Sequence, residues 1–289
     1  MRAVGEETRV SVITERPINP SEAAEAVGAD ATFDCAPERD VVYAERLEGG
    51  IEVVYLNQPR KKNALSGEMM TKLDALLRAA DVDDGVRVVV LRGAGDDFSS
   101  GGDLDQGPAL EPGPEGARKT LRRYLAVVRT IRTMSKPVVA MVDGYAVGGA
   151  FALVCASDLV CASERALFVP AFCQIGIVPE MGMMKLLPDL VGPQRAKELL
   201  FFGGKIPALQ LYDWGVVNRV FPTETLEADT LWFARQLAGM PDASIHLTKN
   251  IMNALADGNL EACLEAESTA SPFCTTTKAY AATMEKFAR

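Results

Sequence analysis

The chain has 289 residues, 48% of them hydrophobic and 24% charged, which is enough apolar side chain to bury one large core in a globular protein. A net charge of −9 argues against a nucleic-acid footprint spread over the surface, because phosphate binding draws on clustered Lys and Arg. No run approaches the ~20 apolar residues of a membrane span, and the acidic start lacks the basic and apolar regions of a signal peptide, so a cytoplasmic protein with no membrane partner is expected.

In chain order, residues 1–40 carry Pro17, Pro20 and Pro37 without a sustained period and read as an N-terminal extension. Segments 41–46 and 51–56 flank Gly49 and Gly50 as a hairpin. Arg60, Lys61 and Lys62 follow Pro59, as a solvated turn or a phosphate contact. A helix opens at Ser66, with Met69, Leu73, Leu76 and Leu77 at helical spacing. The β-branched runs 86–91 and 137–142 read as buried parallel strands, each followed by a glycine-rich stretch, 98–104 and 144–149. Between them, 106–116 holds three prolines and three glycines and is expected to be irregular, a candidate lid, before a helix over 119–134. Further helices are expected over 149–154, 225–237, 245–255 and 260–267. Such alternation of strands and helices argues for stacked right-handed βαβ turns, an α/β fold.

Glycines at the carboxyl ends of two parallel strands sit where ligands bind in open α/β sheets. Two peptide N–H donors converging on one carbonyl would make an oxyanion hole; tight chain reversal with close helix packing accounts for the same glycines. The six cysteines, Cys35, Cys155, Cys161, Cys173, Cys263 and Cys274, form no Cys-x-x-Cys pair and read as reduced packing residues. A single histidine, His246, makes a zinc site or a Ser-His-Asp triad hard to build, and itself reads as a helix-surface or subunit-interface residue. Attention therefore turns to carboxylates as acids and bases.

The spacing of Asn63-Ala64-Leu65, Ser99-Ser100-Gly101-Gly102-Asp103-Leu104 and Gly144-Tyr145-Ala146-Val147-Gly148-Gly149 resembles the crotonase (enoyl-CoA hydratase/isomerase) superfamily, over about residues 41–289. The resemblance implies a core of stacked ββα turns wound as a spiral over 41–222. It also implies a C-terminal helical region over 223–289 that mediates trimer contacts, giving a homotrimer or a dimer of trimers. The substrate it implies is an acyl-CoA thioester, with coenzyme A as part of the substrate and no metal or redox cofactor. By the same resemblance, the backbone N–H groups of Gly102 and Gly149 hold the thioester carbonyl and stabilise its enolate. Ala64 and Leu65 line the adenine and pantetheine, with Ser100, Asp103 and Leu104 beside them and Arg60, Lys61 and Lys62 near the phosphates. Lys286 and Phe287 resemble a C-terminal Lys and aromatic residue that contact CoA across a subunit boundary.

Hydratases of that superfamily use two glutamates, and the corresponding positions here are Ala152 and Phe172. Neither carries a proton, which argues against ordinary addition of water. Glu180, after Pro179 and among apolar residues, is the carboxylate left in the motif region. Its position resembles the single catalytic glutamate of the Δ3,Δ2-enoyl-CoA isomerase branch. Desolvation there would raise its pKa; a helix N-terminal glutamate favoured by the dipole is the competing reading. Asp103, Asp143, Asp158 and Glu164 read as structural. Phe151, Phe172, Cys173, Met181, Met183 and Met184 offer a pliable apolar wall for an acyl chain. Double-bond migration in an enoyl-CoA is the expected reaction. Hydrolysis, decarboxylation, carbon–carbon chemistry on the same enolate, and acyl-CoA binding without catalysis are the alternatives.

Overall fold

Ile51–Leu56 (β2) is buried at every position, as a strand covered on both faces must be. The computed structural model describes residues 40–103, 114–255 and 278. It pairs β2 antiparallel with Val42–Leu47 (β1), through a turn in which Gly49 and Gly50 take φ of 83° and 78°. Gly67–Val82 (α1) follows, capped by Ser66, whose Oγ accepts a hydrogen bond from the Met69 N–H at 3.1 Å. Its buried stripe of Met69, Met70, Leu73, Leu77 and Ala80 faces the sheet.

After Val88–Gly93 (β3) come Pro114–Thr133 (α2), Val138–Val142 (β4), Tyr145–Val147 (β5) and Gly149–Ala156 (α3). Leu159–Ser163 (β6), Leu167–Val169 (β7), Met183–Val191 (α4), Pro193–Phe202 (α5), Ile206–Pro207 (β8) and Ala208–Asp213 (α6) continue the chain. Arg219–Phe221 (β9), Leu226–Ala238 (α7) and Asp242–Ala254 (α8) complete the described elements. The larger sheet has the order β1-β2-β3-β4-β6-β9, parallel from β2 onward; a smaller mixed sheet has the order β5-β7-β8.

Two apolar layers explain why the central strands lack alternation. One face of the larger sheet packs with α1, α2 and α3, and α3 is buried at every residue after Gly149. The other face meets Leu226, Leu231, Ala234 and Ala238 of α7. The α/β architecture with C-terminal helices is thus the expected one.

Three local expectations change. Residues 114–116 belong to α2 instead of an irregular loop, because a proline in the first turn of a helix loses no intrahelical hydrogen bond and presets φ. Helix α8 starts at Asp242, directly after Pro241, three residues before the expected start. The smaller sheet was not expected at all, since its strands are two or three residues long. The extension over 1–39, Leu104, residues 106–113, the helix over 260–267, Lys286 and Phe287 lie outside the described residues. Among the described cysteines, Cys155 and Cys161 are buried, and burial pushes the Cys161 thiol up to about 12; Cys173 is exposed. Among the described residues, no helix is long and apolar enough to cross a membrane.

Candidate active site

Four loops meet at the carboxyl ends of β2, β3 and β4 and before α4. The first begins with a short helical turn, Pro59–Lys61, and then Lys62 and Asn63 take left-handed φ of 50° and 55°. Asparagine tolerates that conformation, and here it is fully buried and anchored. Its Nδ2 donates to the carbonyls of Ala94 (2.9 Å) and Asp97 (2.7 Å), and its Oδ1 accepts from the Gln58 N–H at 2.9 Å. The loop before α1 is thereby pinned to the loop after β3. Ser100 adds two ties, its N–H to the Lys62 carbonyl at 2.8 Å and its hydroxyl to the Lys61 carbonyl at 3.1 Å.

Leu65 forms a short parallel bridge with Gly102. The Leu65 N–H donates to Gly101 (2.7 Å), and the Leu65 carbonyl accepts from the Asp103 N–H (3.0 Å). Successive N–H groups of an extended chain point to opposite sides, so the Gly102 N–H points away from Leu65. Gly102 is exposed, and a Cβ there would meet nothing within 4 Å. Gly101 is the reverse: at φ 86°, a Cβ would lie 2.5 Å from the Val147 carbonyl oxygen, so only glycine fits.

The third loop is bound to this stretch by the bridge of Ser99 with Ala146. Gly148 takes φ 53° and Gly149 opens α3, which leaves the Gly149 N–H without an intrahelical acceptor. Among the described residues, no backbone acceptor takes the N–H of Gly102 or of Gly149. Asp143 at the start of the loop is structural, as expected. Burial alone would raise its pKa, but Arg165, the Ser163 hydroxyl and the Gly144 N–H outweigh that and hold it below the usual carboxylate range.

The fourth loop carries Glu180. Met181 takes φ 55°, unusual for a side chain of its size, and is buried. Its sulfur and a Leu65 methyl close over Gly149, where a Cβ would lie 2.9 Å and 3.4 Å from them. Phe172 is buried, with its ring beside Gly148, and Ala152 is buried inside α3, so both positions that correspond to the hydratase glutamates are apolar. Glu180 is half-buried, and burial raises its pKa. No hydrogen bond or ion pair holds its carboxylate among the described residues. Helix α4 starts at Met183, so Glu180 precedes the helix and its cap at Gly182 and lies outside the first turn, where a dipole acts most strongly.

The expected phosphate contacts are placed unevenly. Arg60, Lys61 and Lys62 are all exposed, but Lys61 lies 3.3 Å from the buried Asp103 carboxylate and Lys62 lies 3.0 Å from Asp97. Ala64 and Leu65 are buried between the first two loops. His246 lies on α8 beside Asp242, where burial lowers its pKa. Sequence reasoning missed Tyr124 of α2. Its hydroxyl donates to the Leu65 carbonyl at 2.8 Å, and its pKa is raised by burial first and then by the charges of Asp103 and Glu180. An aromatic in the apolar period of a helix reads as a core-packing residue, so no signal in the sequence marked it.

Residues 46–288 match the protein family described as enoyl-CoA hydratase/isomerase. The chain belongs to that family. Among relatives of this family member, 4-chlorobenzoyl coenzyme A dehalogenase-1 of an Arthrobacter species is 37% identical over 222 residues, 75% of this chain and 80% of that protein. Enoyl-CoA delta isomerase 2 of Rattus norvegicus is 35% identical over 226 residues, 77% of this chain and 57% of that protein. The crystal structure of an enoyl-CoA hydratase from Bacillus anthracis superposes with a TM-score of 0.82 at 26% identity, covering 86% of this chain and 96% of that one. The family member therefore has the crotonase fold and is an acyl-CoA enzyme of that superfamily.

Proposed function

We propose that the chain isomerises a 3-enoyl-CoA to the 2-enoyl form through a thioester enolate, with Glu180 as its single proton carrier. The observation that carries this reading is the half-buried Glu180 carboxylate, raised in pKa and unpaired among the described residues, in a site whose other two acid positions are Ala152 and Phe172. Glu180 takes a proton from C2, the electrons pass to the thioester oxygen as a dienolate, and the proton returns to C4 as the double bond forms between C2 and C3. The N–H groups of Gly102 and Gly149 receive the developing oxyanion, each worth about 3 kcal/mol of barrier. No second acid or base is needed, because the proton lost and the proton gained are carried by one group.

Coenzyme A enters this reading as the substrate's handle. Ala64, Leu65 and Ser100 line its path, and Arg60 serves its phosphates more readily than Lys61 and Lys62, whose charges are already opposed by Asp103 and Asp97. Isomerisation of a 3-enoyl-CoA, measured for the wild-type protein and Glu180→Gln, tests the reading: turnover in the first and its collapse in the second are expected. A second reading, another reaction of the same enolate, is favoured by the 37% identity to a dehalogenase. Exchange of the C2 proton in deuterium oxide without double-bond movement selects it, and thioester binding with no exchange selects a non-catalytic role.

A further inference from the structure

The geometry points to Tyr124 as a positioning residue whose hydroxyl, through the Leu65 carbonyl, fixes the direction of the Gly102 N–H. This rests on the enolate reading above. Leu65 accepts twice at one oxygen, from the Asp103 N–H at 3.0 Å and from the Tyr124 hydroxyl at 2.8 Å, while its own N–H donates to Gly101 at 2.7 Å. The peptide units on both sides of Gly102 are therefore held by one residue, and that residue is held from outside the loop by Tyr124. Gly102 itself has no side chain to pack and nothing within 4 Å of where one would be, so its own contacts do little to orient it.

Leu65 also touches the space above Gly149, so one residue reaches both glycines. A shift of Leu65 would move the first donor and repack the cover of the second. Helix α2 is a rigid place from which to hold it: Val127 and Ile131 are buried in the core, and Val128 lies against the Gly182 turn that follows Glu180. Burial first, and then the negative charges of Asp103 and Glu180, disfavour the Tyr124 phenolate, so the hydroxyl remains a donor. Preorganised donors act on the oxyanion of the transition state more than on the ground-state carbonyl. Loosening one should thus lower kcat and leave thioester binding nearly untouched.

Tyr124→Phe removes the hydroxyl and keeps the ring. The expected result for C2-proton exchange or isomerisation is a fall in kcat of about tenfold or more with KM within about twofold. Thr130→Val is the control, since Thr130 ties the same helix to Asp74 of α1 and has no part in the site. It should lower the melting temperature with kcat unchanged. Undiminished kcat in Tyr124→Phe overturns the proposal, as does a rise in KM alone. A kcat loss in Thr130→Val as large as in Tyr124→Phe also overturns it, because any loosening of α2 would then suffice. A wild-type protein that catalyses neither exchange nor isomerisation overturns the enolate reading and this proposal with it.

Discussion

A carboxylate that must both take and return a proton works best when neither form is strongly favoured, and Glu180 meets that condition by lacking a cationic partner among the described residues. Its raised pKa has two measurable consequences. In the proposed reaction the ionised form is the base, so kcat/KM for isomerisation should fall as pH drops, with a midpoint above the ordinary glutamate value of about 4.3. The folded state also binds the Glu180 proton more tightly than the unfolded chain does. That group's contribution to stability is therefore greatest below the ordinary carboxyl pKa and is lost as pH rises through the folded value. Glu180→Gln should accordingly melt at a higher temperature than wild type near neutral pH, with the difference vanishing in acid, while isomerisation falls on the order of a hundredfold or more. Melting curves at several pH values check the first outcome and steady-state assays the second. A variant with full activity refutes Glu180 as the base. At Gly149 the expectation is steric: Gly149→Ala must displace the Met181 sulfur, 2.9 Å from the new methyl, and activity should suffer before folding does.

Among the elements, the loops are held by a few buried polar groups, and these can be weighed. Asn63→Ala removes three hydrogen bonds and leaves the Ala94 and Asp97 carbonyls and the Gln58 N–H seeking partners, a loss of about 2–4 kcal/mol in unfolding free energy. Denaturant titration reads it directly. Helix α8 has a buried anchor of a comparable kind: Lys249 is buried, 2.7 Å from Asp158, and donates to the Lys136 carbonyl at 2.8 Å. Lys249→Ala would take the cation from Asp158 and leave it the Val138 N–H at 2.7 Å, and should cost about 3 kcal/mol. At this scale the sequence was most informative where chemistry is local. The β-branched runs marked β3 and β4, Ser66 marked the start of α1, and glycine marked the turns because Gly101 and Gly148 need positive φ or close approach. It was least informative where a contact joins distant segments. Nothing in the apolar period of α2 distinguishes Tyr124, whose bond to Leu65 spans 59 residues, from a core-packing aromatic. The pairing of Lys61 and Lys62 with carboxylates was hidden for the same reason.

For the whole molecule, the described surface bears on assembly. Ile175, Val178, Met184, Phe201 and Phe202 are each more than half exposed on the single chain. Ile175 is brought to Phe201 and Phe202. Gln174, beside Ile175, donates from Nε2 to the carbonyls of Leu200 (3.3 Å) and Phe201 (2.9 Å), which fixes the loop after Phe172 against the end of α5. Apolar groups gathered in this way are costly to leave in water and mark surfaces that associate. The same loop leads through Val178 and Pro179 to Glu180, so burial of this face would also stiffen the approach to the proposed base. Closed symmetry is the usual outcome for identical chains, and we propose a homotrimer or a dimer of trimers, the assembly that the superfamily resemblance implies. Light scattering at micromolar concentration should therefore give a mass several times the 31.0 kDa of one chain. Phe202→Asp places a charge on the most exposed aromatic of the patch, 79% exposed in the single chain, without disturbing the core. It should shift the mass toward that of one chain and lower isomerisation together with it. Wild-type protein that scatters as a single chain while binding a CoA thioester would refute the assembly, and a Phe202→Asp variant with unchanged mass would remove this face from the interface.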